Sequence, residues 1–370
     1  MKLTLQLQLL PDAEQRCKLL ATMKAFNAAA TYAARVGFEA KRFSQPNIHK
    51  LCYFDLRSKY GLSSQMAVRA IGKAVECFQR DKKKCPVFKP YGAMTYDQRI
   101  MGFKGPALVS LLTLEGRQIV PMIFGEYQKA RFDRIKGQCD LVFRGNKFYL
   151  LASIDMPDGA PIDVREFIGV DMGVAKLVTT SDGQYVSGEH IETVRVKHHT
   201  TRRSMGLACG RKKGRRRSIH RAMKRIGNKE GRFRKHVNHV ISKTLVLHAK
   251  DTHRGLALEN LKGIRERIRF RRNQRAKMGG WAFAQLRQFL VYKGNLHGVP
   301  VVTVDPRDTS RTCARCGHCE KGNRLSQDKF KCRSCGHETN ADINAAINIA
   351  IRASVNMPRE SEHRQSLSVA

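Results

Sequence analysis

The sequence predicts a multidomain α/β protein: a small N-terminal β-barrel interrupted by a helical insert, then a second α/β domain that carries a cysteine-rich insert. Three observations carry this reading. The first 163 residues run strand, helices, hairpins. From about residue 164 the order becomes strand, β-meander, helices, strand, helix, strand and a last helix. Two Cys-x-x-Cys pairs lie between 313 and 335. A length of 370 residues leaves room for two or three domains, and a hydrophobic fraction of 42% is enough to bury their cores.

Taken in order, the first nine residues alternate, with Leu3, Leu5, Leu7 and Leu9 on one face, which reads as a strand rather than a signal peptide. Pro11-Asp12-Ala13-Glu14-Gln15 looks like a helix start, after which Cys17, Leu20, Met23 and Ala30 recur at helical spacing. A second helical stretch covers about 63–79, capped by Ser63 or Ser64, with Val68, Ile71, Val75 and Phe78 as its stripe. Ala107–Leu114 and Ile119–Phe124 form one hairpin, and Leu141–Phe143 with Lys147–Ile154 another. These hairpins and the first strand can close one barrel. Met156–Pro161 reads as a linker. Phe167–Val170 is then a strand ending in Asp171, followed by strands at Ala175–Thr180 and Tyr185–Ser187. A helix is predicted over 219–250, a strand over Leu256–Leu258 ending in Glu259, an amphipathic helix over Trp281–His297, a buried strand over Val301–Val304 and a last helix over Asp342–Arg352. Residues 356–370 are polar and read as a disordered tail.

The charge sum narrows the function. Sixty-nine Lys+Arg against 31 Asp+Glu leave +38, which argues against an ordinary metabolic enzyme and for a polyanionic partner, most simply nucleic acid. Fifteen Lys/Arg stand between 202 and 235 against one acid, Glu230, and 262–277 is again half Lys/Arg. A charge run is usually a solvated face, but this excess of one sign calls for a phosphate backbone. Arg211, Lys212, Lys213, Arg215, Arg216 and Arg217, with Arg269, Arg271 and Arg272, are the candidate contacts; they would give affinity and salt dependence rather than sequence choice. No run of 18 apolar residues marks a membrane span.

Eleven cysteines, an odd number, argue against a disulfide scaffold and for a reducing compartment. Cys17, Cys52, Cys77, Cys85, Cys139 and Cys209 read as plain buried or half-buried thiols. Cys313-Ala314-Arg315-Cys316-Gly317 and Cys332-Arg333-Ser334-Cys335-Gly336 are knuckles with fifteen residues between Cys316 and Cys332, which is zinc-ribbon spacing. Four thiolates complete a tetrahedron, so the zinc would be structural. His318 and Cys319 are possible substitute ligands.

Three carboxylates carry the chemistry. Asp171 and Glu259 follow apolar strands, and Asp342 lies in the first turn of a helix. Acids on adjacent strands and a helix start can converge, and such a cluster repels itself unless cations neutralise it. Two Mg²⁺ ions about 3.5–4 Å apart would do so, one activating water and the other steadying the leaving 3′ oxygen of a phosphodiester. Each acid alone has a bland reading, as a turn residue or a helix-dipole partner. The order strand–meander, strand, helix is that of a ribonuclease-H-like fold.

These residues together resemble the TnpB (OrfB) family of transposon-encoded RNA-guided nucleases, relatives of the compact type V CRISPR effectors. The motifs are Ile168–Val174, Leu256–Ile264, Trp281–Lys293 with Val304-Asp305-Pro306, Thr309–Cys313, the two knuckles, and Asp342–Ile349; they span about 165–352, while the first half matches only in layout. The resemblance implies a wedge-like, OB-like barrel (1–10 and 86–163), a helical recognition insert (11–85), a RuvC-like nuclease domain (164–308 and 337–355) and a zinc ribbon (309–336). It implies that Asp171, Glu259 and Asp342 hold Mg²⁺ and that Cys313, Cys316, Cys332 and Cys335 hold zinc. It further implies a cytoplasmic protein that takes one transposon-end guide RNA and cuts both strands of target DNA beside a short motif. The family's last motif commonly reads Asp-Arg-Asp; here it is Asn340-Ala341-Asp342, and Arg311 or Arg333 are the candidates to replace the missing arginine. A compact type V CRISPR effector shares every motif. A non-cleaving RNA-guided repressor and a DNA-joining transposase are the readings from other classes.

Overall fold

A computed structural model describes residues 1–211, 216–227, 229–261 and 283–355. The expected tail at 356–370 lies outside them. The chain divides into two compact units, Met1–Met156 and Pro157–Ala370.

The first unit is mixed α/β. Strand β1 (Lys2–Leu9) leads into helices α1 (Ala13–Glu39), α2 (Gln45–Tyr60) and α3 (Ser64–Arg80). Strands β2 (Met94–Tyr96), β3 (Met101–Lys104), β4 (Leu108–Thr113) and β5 (Gly116–Ile123) follow, then the short helix α4 (Glu126–Lys129) and the hairpin β6 (Ile135–Arg144) and β7 (Lys147–Asp155). The strands form one sheet in the order β2-β6-β7-β1-β5-β4-β3, a nearly closed barrel. Across its opening, the hydroxyl of buried Tyr96 on β2 donates to the Leu112 carbonyl of β4 at 2.9 Å.

The helix starts are locally encoded. Asp12 forms a capping box with Gln15, and the Ser63 hydroxyl accepts from the Met66 amide at 3.4 Å. Leu5, Leu7 and Leu9 are buried and Leu3 is partly so. They share one apolar core with Ala29, Ala30, Ala33 and Ala34 of α1 and Ile71, Ala74 and Phe78 of α3. The helices inserted after β1 are therefore packed into the barrel's own core. Cys52 and Cys139 are buried, Cys77 and Cys85 half-buried, whereas Cys17 is exposed, contrary to expectation, because it lies on the outer face of α1.

The second unit is built on the sheet β10-β9-β8-β11-β12. Its strands are β8 (Phe167–Asp171), β9 (Lys176–Thr180), β10 (Tyr185–Ser187), β11 (Gly255–Glu259) and β12 (Val301–Val304). Strands β8, β11 and β12 are parallel; β9 and β10 extend the sheet antiparallel. Helices α5 (Glu189–Arg211), α6 (Arg216–Gly227) and α7 (Lys229–Asp251) connect β10 to β11, and α8 (Phe283–His297) precedes β12. The helix expected over 219–250 falls on α6 and α7, and residue 228 between them lies outside the described residues. The hairpin β13 (Lys329–Lys331) and β14 (Glu338–Asn340) leads into α9 (Ala341–Val355).

Strand periodicity sorts this sheet's faces. Ile168, Val170, Leu256 and Leu258 pack with Ile241, Leu245 and Val246 of α7 and with Leu286 and Leu290 of α8. Phe167, Ala257 and Val304 turn the other way and pack with Ile349 and Ala353 of α9. Asp171 shares parity with Phe167, and Glu259 with Ala257, so both acids belong to the α9 face. Gly169 lies on that face too. A Cβ built there would stand 1.8 Å from the Ala346 carbonyl oxygen and 2.7 Å from the Ala350 amide nitrogen. These are backbone atoms that cannot swing aside. Gly169→Ala is therefore expected to destabilise the protein by about 3 kcal/mol or more, read as a lowered midpoint in urea unfolding.

Candidate metal centres and acid cluster

The four knuckle cysteines converge. Their sulfurs all lie within 4.8 Å of one another, with Cys313–Cys335 at 3.7 Å and Cys316–Cys332 at 3.6 Å. A tetrahedron with Zn–S bonds of about 2.3 Å has edges of about 3.8 Å, so the cluster fits zinc. The two knuckles repeat one backbone design. The Cys313 amide donates to the His318 carbonyl and the Gly317 amide to the Cys313 carbonyl, both at 2.9 Å. Cys332, His337 and Gly336 repeat this at 2.9 and 3.0 Å. Gly317 and Gly336 adopt φ of +76° and +68°, the left-handed turn that brings the second cysteine back over the first. The amides of Cys335 and Ser334 favour the Cys332 thiolate and bring its pKa down to about 6. His318 and Cys319 are not part of the cluster; His318 faces Glu320 at 3.3 Å.

The three acids meet beside this ribbon. Asp171 is half-buried at the end of β8; Glu259 and Asp342 are buried. Burial, followed by the negative charges of Glu259 and Asp342, pushes the Asp171 carboxyl up to about 7. Burial also raises Glu259, against the hydroxyl of Thr309, which donates to its Oε1 at 2.5 Å. Asp342 lies in the first turn of α9, whose cap is Asn340: its Oδ1 accepts from the amides of Asp342 at 3.1 Å and Ile343 at 3.4 Å. Asn340 thus has a defined role in holding Asp342. Further along α9, Asn344 donates to the Thr312 carbonyl at 2.8 Å and Asn348 to the Thr309 and Thr312 carbonyls at 2.9 and 2.7 Å. These bonds seat Thr309 and the first knuckle against the helix.

Arg324 and Lys176 face Asp342, and neither was identified from sequence. Arg324 Nη2 lies 3.4 Å from Asp342 Oδ1, and its charge opposes the upward shifts of Asp171 and Glu259. Lys176 Nζ lies 3.2 Å from Asp342 Oδ2. The expectation that Arg311 or Arg333 replaces the missing arginine is corrected: Arg311 pairs with Asp308 at 3.5 Å and Arg333 with Glu320 at 2.6 Å. Arg324 is the arginine that the ribbon chain brings back to Asp342, and no local motif announces that.

The basic candidates are only partly described. Lys212, Lys213, Arg215, Arg269, Arg271 and Arg272 lie outside the described residues. Arg211 ends α5, Arg216 opens α6, and Arg217 is exposed on α6. The single acid of the run, Glu230, is buried and takes Arg202 of α5 at 2.6 Å, which ties α5 to α7, and Arg234 of its own helix at 3.8 Å. No described helix is long and apolar enough to cross a membrane.

Two measurements check this geometry. Cys332→Ser should lower bound zinc from one per chain, by atomic emission, and reduce thermal stability; an unchanged ratio would contradict the cluster. For Asp171, the folded protein keeps a proton that the unfolded chain releases near pH 4. Its contribution to stability is therefore complete below about pH 4 and is lost as pH rises through about 7. Without added divalent cations, the wild-type midpoint should fall by several degrees between pH 5 and pH 8 relative to Asp171→Asn.

Comparison with known proteins agrees with this architecture. The Cas12f1-like TNB domain family matches residues 283–349. The CRISPR-associated endodeoxyribonuclease Cas12f1 of Sulfoacidibacillus thermotolerans is 36% identical over 64% of this chain, which spans 56% of that protein. InsQ of Escherichia coli (strain K12) is 29% identical over 77% of this chain and 72% of its own length. A TnpB-like protein of Methanocaldococcus jannaschii is 31% identical over 34% of this chain and 45% of its own. Among solved structures, a Cas12f1–sgRNA–target DNA complex shares the fold, with TM-score 0.60 and 15% identity over 90% of this chain and 81% of that one. The chain spans about half the length of the first Cas12f1 proteins it matches. By motif, domain match and fold, the chain is a relative of the TnpB-like and Cas12f1 proteins.

Proposed function

We propose that this chain is an RNA-guided DNA endonuclease of a transposable element. It binds a guide RNA derived from the transposon end and cuts double-stranded DNA beside a short target-adjacent motif. The observation that carries the reading is the meeting of Asp171, Glu259 and Asp342 with Arg324 in a chain of net charge +38. In this reading the second unit is a RuvC-type, ribonuclease-H-like domain bearing the zinc ribbon, and the first is the wedge barrel with its recognition helices. Its names among relatives support it: Cas12f1 is called an endodeoxyribonuclease, and InsQ an RNA-guided DNA endonuclease.

The donor set fits divalent metal, since the charges of Glu259 and Asp342 raise the proton affinity of Asp171 and a cation would relieve that. Asp171, Glu259 and Asp342 would hold two Mg²⁺ ions, whose chemistry is to lower the pKa of water and stabilise the leaving oxygen. Thr309 orients Glu259 through its hydroxyl. Asn340 fixes the rotation of Asp342 through the helix cap. Arg324 presents a fixed positive charge where a scissile phosphate would gather negative charge. Base pairing would select the target, and the basic surface would hold the heteroduplex backbone.

A compact type V CRISPR effector is the second reading, favoured by the 36% identity to Cas12f1. The chain spans more of InsQ than of that Cas12f1, which favours the transposon context. The deciding experiment is cleavage of a plasmid library, with a guide-matched target beside randomised flanks, by protein purified with its co-expressed RNA. Linear product that needs guide and Mg²⁺ is expected. Asp171→Ala and Asp342→Ala should each cut the rate by about a hundredfold or more and leave guided binding nearly unchanged. Guided binding without cleavage would assign the chain to the non-cleaving class.

A further inference from the structure

Lys176 opens β9, and its ammonium does more than face one acid. Nζ lies 3.2 Å from Asp342 Oδ2, 3.2 Å from Asn340 Oδ1 and 3.5 Å from Asp328 Oδ1. Three acceptors match the three protons an ammonium can donate. Asp328 precedes β13 and Asn340 ends β14, and their neighbours pair at that end of the hairpin, Lys329 opposite Asn340. The Ala341 amide also donates to the Asp328 carbonyl at 3.1 Å. Lys176 therefore reaches both strands of the ribbon hairpin where the chain passes into α9.

Arg324 belongs to the same ribbon. Its guanidinium donates to the backbone carbonyls of Ser326 at 3.3 Å and Gln327 at 3.0 Å, so the ribbon's own chain holds it. Where Arg324 stands against the acids then depends on how the hairpin base is anchored to the sheet. The Lys176 side chain is 21% exposed and that of Asp342 13%, so this pairing is recessed; Asp328, at 67%, is an exposed partner that can be altered without touching the acid cluster.

We propose that Lys176 is a positioning residue that clamps the base of the ribbon hairpin to β9 and thereby sets Arg324 against Asp342. Its effect on catalysis rests on the nuclease reading; the clamp itself does not.

The test uses the full chain with its guide RNA as wild type, Lys176→Met, Lys176→Arg and Asp328→Asn. Hydrogen exchange is followed in 324–331 and 338–340, beside zinc content, target affinity and single-turnover cleavage. Lys176→Met should speed exchange at the hairpin base about tenfold, with zinc still one per chain and exchange in β8 and β11 unchanged. It should slow cleavage by about tenfold at unchanged target affinity. Asp328→Asn should do both to a smaller degree, and Lys176→Arg should restore both. Unchanged exchange at the hairpin base in Lys176→Met and Asp328→Asn would overturn the clamp. Faster exchange with an unchanged cleavage rate would overturn the positioning role. A wild type that does not cleave would count against the nuclease reading, while the exchange data still decide the clamp.

Discussion

The close approach of α9 to β8 at Gly169 is the constraint on which the second unit depends. The helix backbone passes where any side chain at 169 would stand. That proximity lets Asp342, in the first turn of α9, come down beside Asp171, two residues further along β8. It also fixes where Asn344 and Asn348 meet the 309–314 segment, and so where Thr309 meets Glu259 and where the first knuckle begins. A bulkier residue at 169 would disturb the acids, their orienting hydroxyl and the ribbon's attachment together.

Acids are scarce in this chain, and several are spent on holding cationic segments in place. Glu230 joins α5 to α7 through Arg202. Asp182 takes Arg254 at 2.6 Å and His248 at 3.1 Å, joining the β9–β10 turn to the segment before β11, and the guanidinium holds its carboxyl below the usual range. Both braces flank the connection from β10 to β11. Two acids of the cluster, Asp171 and Glu259, are held instead with raised proton affinity, the opposite of Asp182, which is the condition that marks candidate functional acids.

Much of this was legible in the sequence because it is locally written. The alternation in 2–9, the cap at Asp12 and the apolar strands ending in Asp171 and Glu259 each follow from a period or a turn residue, and the structure has strands and helices at those places. The knuckle spacing announced a cysteine cluster, and the four sulfurs meet. Arg324, Lys176 and Thr309 were not legible as site residues. Arg324 lies 18 residues from Asp342, Lys176 is 164 residues from Asn340, and Thr309 is 50 from Glu259. Their roles arise only when the ribbon folds back over the sheet. The shared core of the N-terminal helices and barrel was hidden because each piece has its own complete periodic pattern.

The central claim is that Asp171, Glu259 and Asp342 form one two-ion site on the α9 face of the sheet. Electron paramagnetic resonance of Mn²⁺ added to the zinc-loaded chain tests it without any need for guide or target. The account predicts two Mn²⁺ per chain, spin-coupled at a separation of about 4 Å, with the coupling lost in Glu259→Gln. Mn²⁺ that binds singly, or not at all, or whose signal is indifferent to Glu259→Gln, would contradict it.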